Sequence, residues 1–209
     1  MDEAVLLWIN QGWGHPALDG VFWWLSQRLW FALPLAAILL CDSVRRWGSS
    51  GARLFLLLAL TVAAGDVLGG FLKEAFAALR PCQAMFEELR ALGGAVAERC
   101  GESPNGMPSN HAINFFAAAT FIALATPWRG WRIGLFVCAA LVGLSRIYLG
   151  KHYPGQVLAG ALVGALVGAL GAWLALRYPA VFGSPAGATA ADPTLPSAIN
   201  RERDAANRS

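Results

Sequence analysis

VLAGALVGALVGALGAWLAL, residues 157–176, decides the fold. The stretch carries no charge and matches the ~20 apolar residues a helix needs to cross the hydrocarbon of a bilayer. Within it Gly160, Gly164 and Gly168 recur every fourth residue, so they fall on one helix face and make a small-residue stripe for close helix packing. That stripe serves packing within the chain or, less simply, a homodimer with a second copy. Working outward, Leu54 to Leu72 is interrupted only by Asp66, while Ala112 to Thr126 and Ile133 to Leu149 are shorter or broken by Arg146. Phe22 to Cys41 carries Arg28 and Pro34, giving five expected spans in all. With 56% hydrophobic and 14% charged residues over 209 positions, the composition excludes an ordinary soluble domain. The fold class is all-α, a polytopic transmembrane helix bundle.

The loops orient it. Arg45, Arg46 and Arg53 follow the first span, Arg129 and Arg132 the third, and Arg177 the fifth, so the positive-inside rule assigns these segments to the cytoplasm. Alternate crossing then sends three other clusters to the outer face: Lys73 through Arg80-Pro81, Pro108-Ser109-Asn110-His111, and Ser145-Arg146 through His152. Lys73, Arg80 and Arg146 are donors suited to phosphate oxygens, and His111 and His152 can move protons or attack phosphorus near neutral pH. Gathered on one face, the clusters read as a phosphate site at a membrane surface. The net charge of +3 sits largely at span ends and asks for no nucleic-acid partner.

These three clusters resemble the signature of the type 2 phosphatidic acid phosphatase (PAP2) superfamily: Lys-x6-Arg-Pro, Pro-Ser-Gly-His and Ser-Arg-x5-His-x3-Asp. The resemblance covers Lys73 to Gln156 directly and implies a PAP2/haloperoxidase-like core. It further implies that Lys73, Arg80, Ser109, Asn110 and Arg146 bind the substrate phosphate, that His152 is the nucleophile forming a phosphohistidine, and that His111 is the acid for the leaving oxygen. No metal or other cofactor is required by that scheme. Two positions depart from the pattern. Asn110 stands where the family has Gly, and Gln156 stands where it usually has the Asp that orients the nucleophilic histidine; the run around Gln156 resembles the glucose-6-phosphatase branch, which also has Gln. A Gln carbonyl accepts the same hydrogen bond without supplying charge.

The implied substrate is a phosphorylated membrane lipid, because a site at headgroup level lets the tail stay in hydrocarbon. Undecaprenyl pyrophosphate is the first choice. Phosphatidic acid, phosphatidylglycerol phosphate, the phosphates of lipid A, and transfer to another lipid acceptor stand as alternatives; a non-catalytic lipid-binding relative ranks lower. The implied location is a bacterial inner membrane, with the active site facing the periplasm.

Beyond the clusters, residues 1–20 are too short and polar-interrupted to span and read as an amphipathic segment on the outer interface. Residues 21–178 form the catalytic domain, with 81–108 as an outer-loop cap that is acidic at Glu87, Glu88, Glu98 and Glu102. Residues 179–209 turn to Ala, Pro, Ser, Thr and mixed charge and read as a disordered cytoplasmic tail. Cys41 and Cys138 fall in spans, whereas Cys82 and Cys100 share the outer loop, where an oxidising compartment permits a disulfide. His15 has no motif context and is read as structural. Asp66 lies two turns before Lys73 on about the same face and, inside a span, needs a partner.

Overall fold

The structure is a computed structural model describing residues 1–90 and 103–183. All its regular elements are helical. Helices α1 (Asp2–Gly12) and α2 (Pro16–Leu25) lead through a π-helical turn, Arg28–Ala32, into α3 (Leu33–Phe76). A short α4 (Pro81–Ala84) and a 3-10 turn, Phe86–Glu88, precede α5 (Asn110–Ala125), α6 (Arg129–Tyr148), α7 (Pro154–Arg177) and α8 (Pro179–Phe182). Three helical stretches are long and apolar enough to cross a membrane: Trp30–Ala84, Arg129–Tyr148 and Pro154–Arg177; the apolar α5 is shorter.

The long α3 is two arms. Gly48 adopts φ 53° and ψ −130°, a left-handed conformation that glycine enters at little cost. The chain folds back there so tightly that a Cβ on Gly51 would lie 2.0 Å from the Ser43 carbonyl oxygen. Helix α5 occupies the centre, against α3, α6 and α7. Ala112, Ile113, Ala117, Ala119 and Phe121 are each fully buried, which is why this helix is apolar all round rather than striped.

Helix α7 is two-faced. A Cβ on Gly160, Gly164 or Gly168 would meet the carbonyl oxygens of Ser109, Ile113 and Ala117 at 2.5, 2.3 and 2.3 Å. On the opposite side Leu158, Leu162, Leu166 and Leu170 are exposed. The glycine stripe is therefore used within the chain, letting α7 lie backbone to backbone on α5.

The first span differs from the sequence expectation. Phe22 and Leu25 belong to α2, not to a crossing helix, and the next helical arm starts after the turn at 28–32. The reason is that these residues are buried in protein: Phe22 packs on Tyr148 with ring centroids 4.5 Å apart, in a cluster with Leu6, Ile9, Ile147 and Val157. Hydropathy alone does not distinguish burial against helices from burial in lipid. The N-terminal segment is likewise two helices. His15 caps α2, its Nδ1 accepting from the Ala17 N–H at 3.2 Å ahead of Pro16 at the first helical position. At the other end, residues 179–182 form a helical turn beside α3 and α7, and residues 184–209 of the expected tail lie outside the described residues.

Candidate active site

The four ends that carry the clusters meet. Helix α3 ends at Phe76, and the following residues run to Arg80, which precedes Pro81 at the first position of α4. The Arg80 N–H donates to Gln83 Oε1 (2.9 Å), and its Nη2 donates to the Asn105 carbonyl (3.4 Å). This segment is tied to the second cluster by the Gly106 N–H donating to the Ala78 carbonyl at 2.7 Å. Gly106 has no room for a side chain, since a Cβ would lie 2.6 Å from both Gln156 Nε2 and the Leu79 carbonyl. Arg80 Nε is buried and makes no hydrogen bond within the protein.

In the second cluster, Ser109 precedes α5, and its N–H donates to the Gln156 carbonyl at 3.1 Å. Its hydroxyl is buried with no protein partner, leaving a donor for an anion at a helix N-terminus. Asn110, at the position that departs from the family pattern, turns the other way: its Nδ2 donates to the Asp66 carboxylate (3.0 Å) and carbonyl (3.1 Å). Asn114 Nδ2 donates to the same carboxylate oxygen at 3.0 Å. Asp66 thus finds its partners on α5, one turn apart, and Asn110 fastens α5 to α3. His111 Nε2 donates to the Ser26 carbonyl at 3.3 Å.

The spacing in the third cluster has a local cause. Helix α6 ends at Tyr148, Gly150 takes φ 65°, and the Arg146 carbonyl accepts from the N–H groups of Lys151 (2.9 Å) and His152 (3.1 Å). This tight reversal returns His152 beneath Arg146. Ser145 contributes no donor to the site, because its hydroxyl is spent on the Val142 carbonyl at 2.6 Å.

Gln156 fixes the tautomer of His152. Its Nε2 donates to the Leu79 carbonyl at 2.8 Å, so its Oε1 is the atom that faces His152 Nδ1 at 3.2 Å and also accepts from the Tyr153 N–H. Nδ1 also lies 2.8 Å from the Gly106 carbonyl, which only accepts. Nδ1 therefore carries the hydrogen, and Nε2 keeps its lone pair. An aspartate at 156 has no N–H for the Leu79 carbonyl. The glutamine thus orients the histidine with one end of its amide and secures the first cluster with the other.

His152, in the turn between α6 and α7 and only 2% exposed, has a pKa well below the usual 6.5. Burial is the main cause, followed by the positive charges of Arg146 and Arg80, with Lys73 adding to them; the Gln156 hydrogen bond opposes the shift. The imidazole is thus neutral at physiological pH. Because the folded pKa is depressed, acidification below about 6.5 protonates the unfolded chain first and folding stability falls. Thermal unfolding should therefore lose more stability between pH 7.5 and 5.5 in the wild type than in His152→Asn; equal losses would refute this assignment.

The structure thus brings together His152, Gln156, Arg80, Arg146 and Lys73, with Ser109 and His111 at the start of the adjoining α5. Sequence reasoning missed the N-terminal contribution. Ser26, 7% exposed, accepts from Arg146 Nη1 with its hydroxyl as well as from His111 with its carbonyl. No motif marks it. The Leu79 and Gly106 carbonyls that hold Gln156 and His152 are backbone atoms and leave no signal in side-chain patterns. Among the expected loop residues, Cys82 is disulfide-bonded, while Cys100, Glu98 and Glu102 lie outside the described residues. No group of His, Cys, Asp and Glu with metal-binding spacing occurs among the described residues.

The helices, three stretches of which are long and apolar enough to cross a membrane, bring Arg80, Arg146, Lys73 and the buried His152 together at one end. The PAP2 superfamily model matches residues 54–179, and the chain belongs to that superfamily. It is 28% identical over 159 residues to an undecaprenyl-diphosphatase of Sulfolobus acidocaldarius, a match covering 75% of this chain and 67% of that protein. A lipid A 1-phosphatase of Rhizobium johnstonii is 31% identical over 129 residues, covering 60% of this chain and 46% of the relative. The crystal structure of Aquifex aeolicus LpxE superposes with a TM-score of 0.60 at 26% identity, covering 84% of this chain and 94% of that one. Several matches span less than half of the relative's length, 30% for the bacitracin transport permease protein BcrC of Bacillus licheniformis.

Proposed function

We propose that this chain is a lipid phosphatase that removes a phosphate or pyrophosphate headgroup at the outer membrane face through a phosphohistidine on His152, with no metal. The observation that carries the reading is the buried, neutral His152, its Nε2 lone pair left open by the Gly106 and Gln156 bonds, under the charges of Arg146, Arg80 and Lys73. Nε2 attacks phosphorus and the bond to the leaving oxygen breaks. The cations, with the Ser109 hydroxyl beside them, receive the charge on the phosphoryl oxygens, while Asn110 is turned away toward Asp66. His111 protonates the leaving oxygen, then takes a proton from the water that attacks the phosphohistidine, so inorganic phosphate leaves and both histidines return to their starting state.

Undecaprenyl pyrophosphate is the preferred substrate, supported by the Sulfolobus relative that matches most of this chain. The lipid A reading has its own support in the Rhizobium relative and in the likeness to LpxE. A bacterial inner membrane, with the site facing the periplasm, accords with the arginines at the opposite end of the bundle. Release of phosphate by detergent-purified protein from undecaprenyl pyrophosphate, lipid A and phosphatidic acid, with EDTA present and His152→Ala as control, tests the reading. No release from any of them contradicts it.

A lipid tail has a place to lie. An apolar groove of about 420 Å³, bounded by Leu35, Leu39, Phe55, Leu58, Val62 and Phe115, has His111, Asp66 and Asn114 among its lining residues. The variants Ala59→Phe and Ala63→Phe narrow it. Each should lower kcat/KM for the lipid by about tenfold, ~1.4 kcal/mol, and leave a short-chain soluble phosphate ester unaffected. Equal loss on both substrates would remove the groove from the account.

A further inference from the structure

We propose that Ser26 is a positioning residue of the phosphate site, setting Arg146 and His111 relative to one another through two of its own oxygen atoms. The inference rests on the proposed function in assigning Arg146 to phosphate. Ser26 lies outside residues 54–179, where the family model matches, and is buried against the site. Its hydroxyl accepts from Arg146 Nη1, and its carbonyl accepts from His111 Nε2 at 3.3 Å. The carbonyl is available because α2 has just ended and the last carbonyls of a helix have no intrahelical partner.

One residue can set two side chains only if it is itself held, and the N-terminal helices are anchored for this. Arg90 binds the Asp19 carboxylate in bidentate fashion, at 2.5 and 3.1 Å, and the Tyr148 hydroxyl donates to the same carboxylate at 2.5 Å. Asn10 on α1 donates to the Tyr148 carbonyl at 2.7 Å and accepts from the Arg90 N–H at 2.8 Å. Asp2 accepts from the Gly155 N–H at the start of α7. Asp19 and Phe22 on α2 and Ser26 at its C-cap, still in helical conformation, follow at intervals of three and four, so they share a face. The first is bridged to Arg90, the second packs on the Tyr148 ring at a tilt of 39°, and the third reaches the site. Tyr148 stands two residues from Arg146 on α6, which ties the anchor and the phosphate ligand to one helix end.

The two contacts separate in a test. Ser26→Ala removes the hydroxyl that holds Arg146 and keeps the carbonyl that holds His111. Binding of inorganic phosphate to the full-length, detergent-purified chain, followed by protection against thermal unfolding, should weaken about tenfold in Ser26→Ala. It should weaken less in Ser26→Cys, whose sulfur is a poorer acceptor of similar shape, and stay within about threefold of wild type in Ser26→Thr. On a lipid substrate the loss should appear in KM more than in kcat, and the pH dependence of kcat should keep the wild-type shape because His111 keeps its partner. A merely structural serine would instead lower the melting temperature of the phosphate-free protein with its phosphate affinity unchanged.

Unchanged affinity in Ser26→Ala, or no phosphate binding by the wild type at millimolar concentration, overturns the inference. Should Ser26→Ala not fold, the order of affinities wild type, Ser26→Thr, Ser26→Cys decides in its place. Phosphate binding that depends on Ser26 in a protein that hydrolyses none of the lipids leaves this inference standing and removes the proposed function.

Discussion

Replacing His152 with alanine is expected to lower phosphate release by at least about a thousandfold, ~4 kcal/mol of transition-state stabilisation. A residue that only bound phosphate would cost far less, because Arg80, Arg146, Lys73 and Ser109 remain to share that task. The proposed nucleophile is His152 Nε2, whose lone pair the bonds from Nδ1 to Gly106 and Gln156 leave open under the charges of Arg146, Arg80 and Lys73. Alanine also leaves the Gly106 carbonyl and Gln156 Oε1 without their shared donor, a cost of about 1–3 kcal/mol in folding stability. His152→Asn offers that donor back without a nucleophile. It should recover most of the lost stability and none of the activity, measured by thermal unfolding and steady-state phosphate release together. Recovery of activity in the asparagine variant would assign the chemistry elsewhere.

The largest effect on the fold is expected from Gly164→Leu. A Cβ at that position would sit 2.3 Å from the Ile113 carbonyl oxygen and 2.9 Å from its Cα, backbone atoms of a fully buried residue that cannot step aside. The remaining side chain would need further space that the α5–α7 contact does not have. Overpacking in a tight interior costs ~1–3 kcal/mol even when side chains can yield, so a backbone clash should exceed the upper figure. Because Ile113 stands two residues after His111, any separation of the helices also displaces the start of α5 and with it Ser109. Purified Gly164→Leu should therefore fail to give a folded monomer, or melt well over 10 °C below wild type. Leu166→Ala, on the exposed face of the same helix at 73% exposure, should change stability by no more than about 0.5 kcal/mol. Comparable behaviour of the two variants would show that the stripe is not a packing face.

Much of this was legible in the sequence for a definite physical reason. A helix that crosses hydrocarbon must be apolar for its whole length and needs small residues wherever two backbones touch, so residues 157–176 announce both requirements in their letters. The three clusters fall at one end because helices that alternate in direction return every second loop to the same face. Side chains that carry charge or proton chemistry, such as Arg146, His152 and Gln156, must be specific residue types, and types are what a sequence records.

What stayed hidden depends on atoms that every residue possesses. The Leu79, Gly106 and Ser26 carbonyls orient Gln156, His152 and His111, yet any amino acid has a carbonyl. The fate of Phe22 and Leu25 was hidden for a different reason. Apolar residues bury equally well in lipid or against Tyr148 and Ile147, and only the fold back onto α6 decides between them. The role of Gln156 was half legible: its acceptor for the histidine was expected, whereas its donation to the Leu79 carbonyl needed the first cluster in place. Gln156→Glu retains the shape and removes that donor. It should lower kcat/KM by about tenfold to a hundredfold, and a gain in activity would support instead the view that Gln156 marks lost chemistry.

The central claim is that phosphorus becomes bonded to His152 during turnover. The most direct test is to react the purified protein with a lipid labelled with radioactive phosphorus, quench within milliseconds in alkali, and map any label retained on the protein. The account predicts an alkali-stable, acid-labile phosphoryl group on the peptide containing His152, formed with EDTA present and absent from His152→Ala. Rapid phosphate release with no label trapped, and release persisting in His152→Ala, would contradict it.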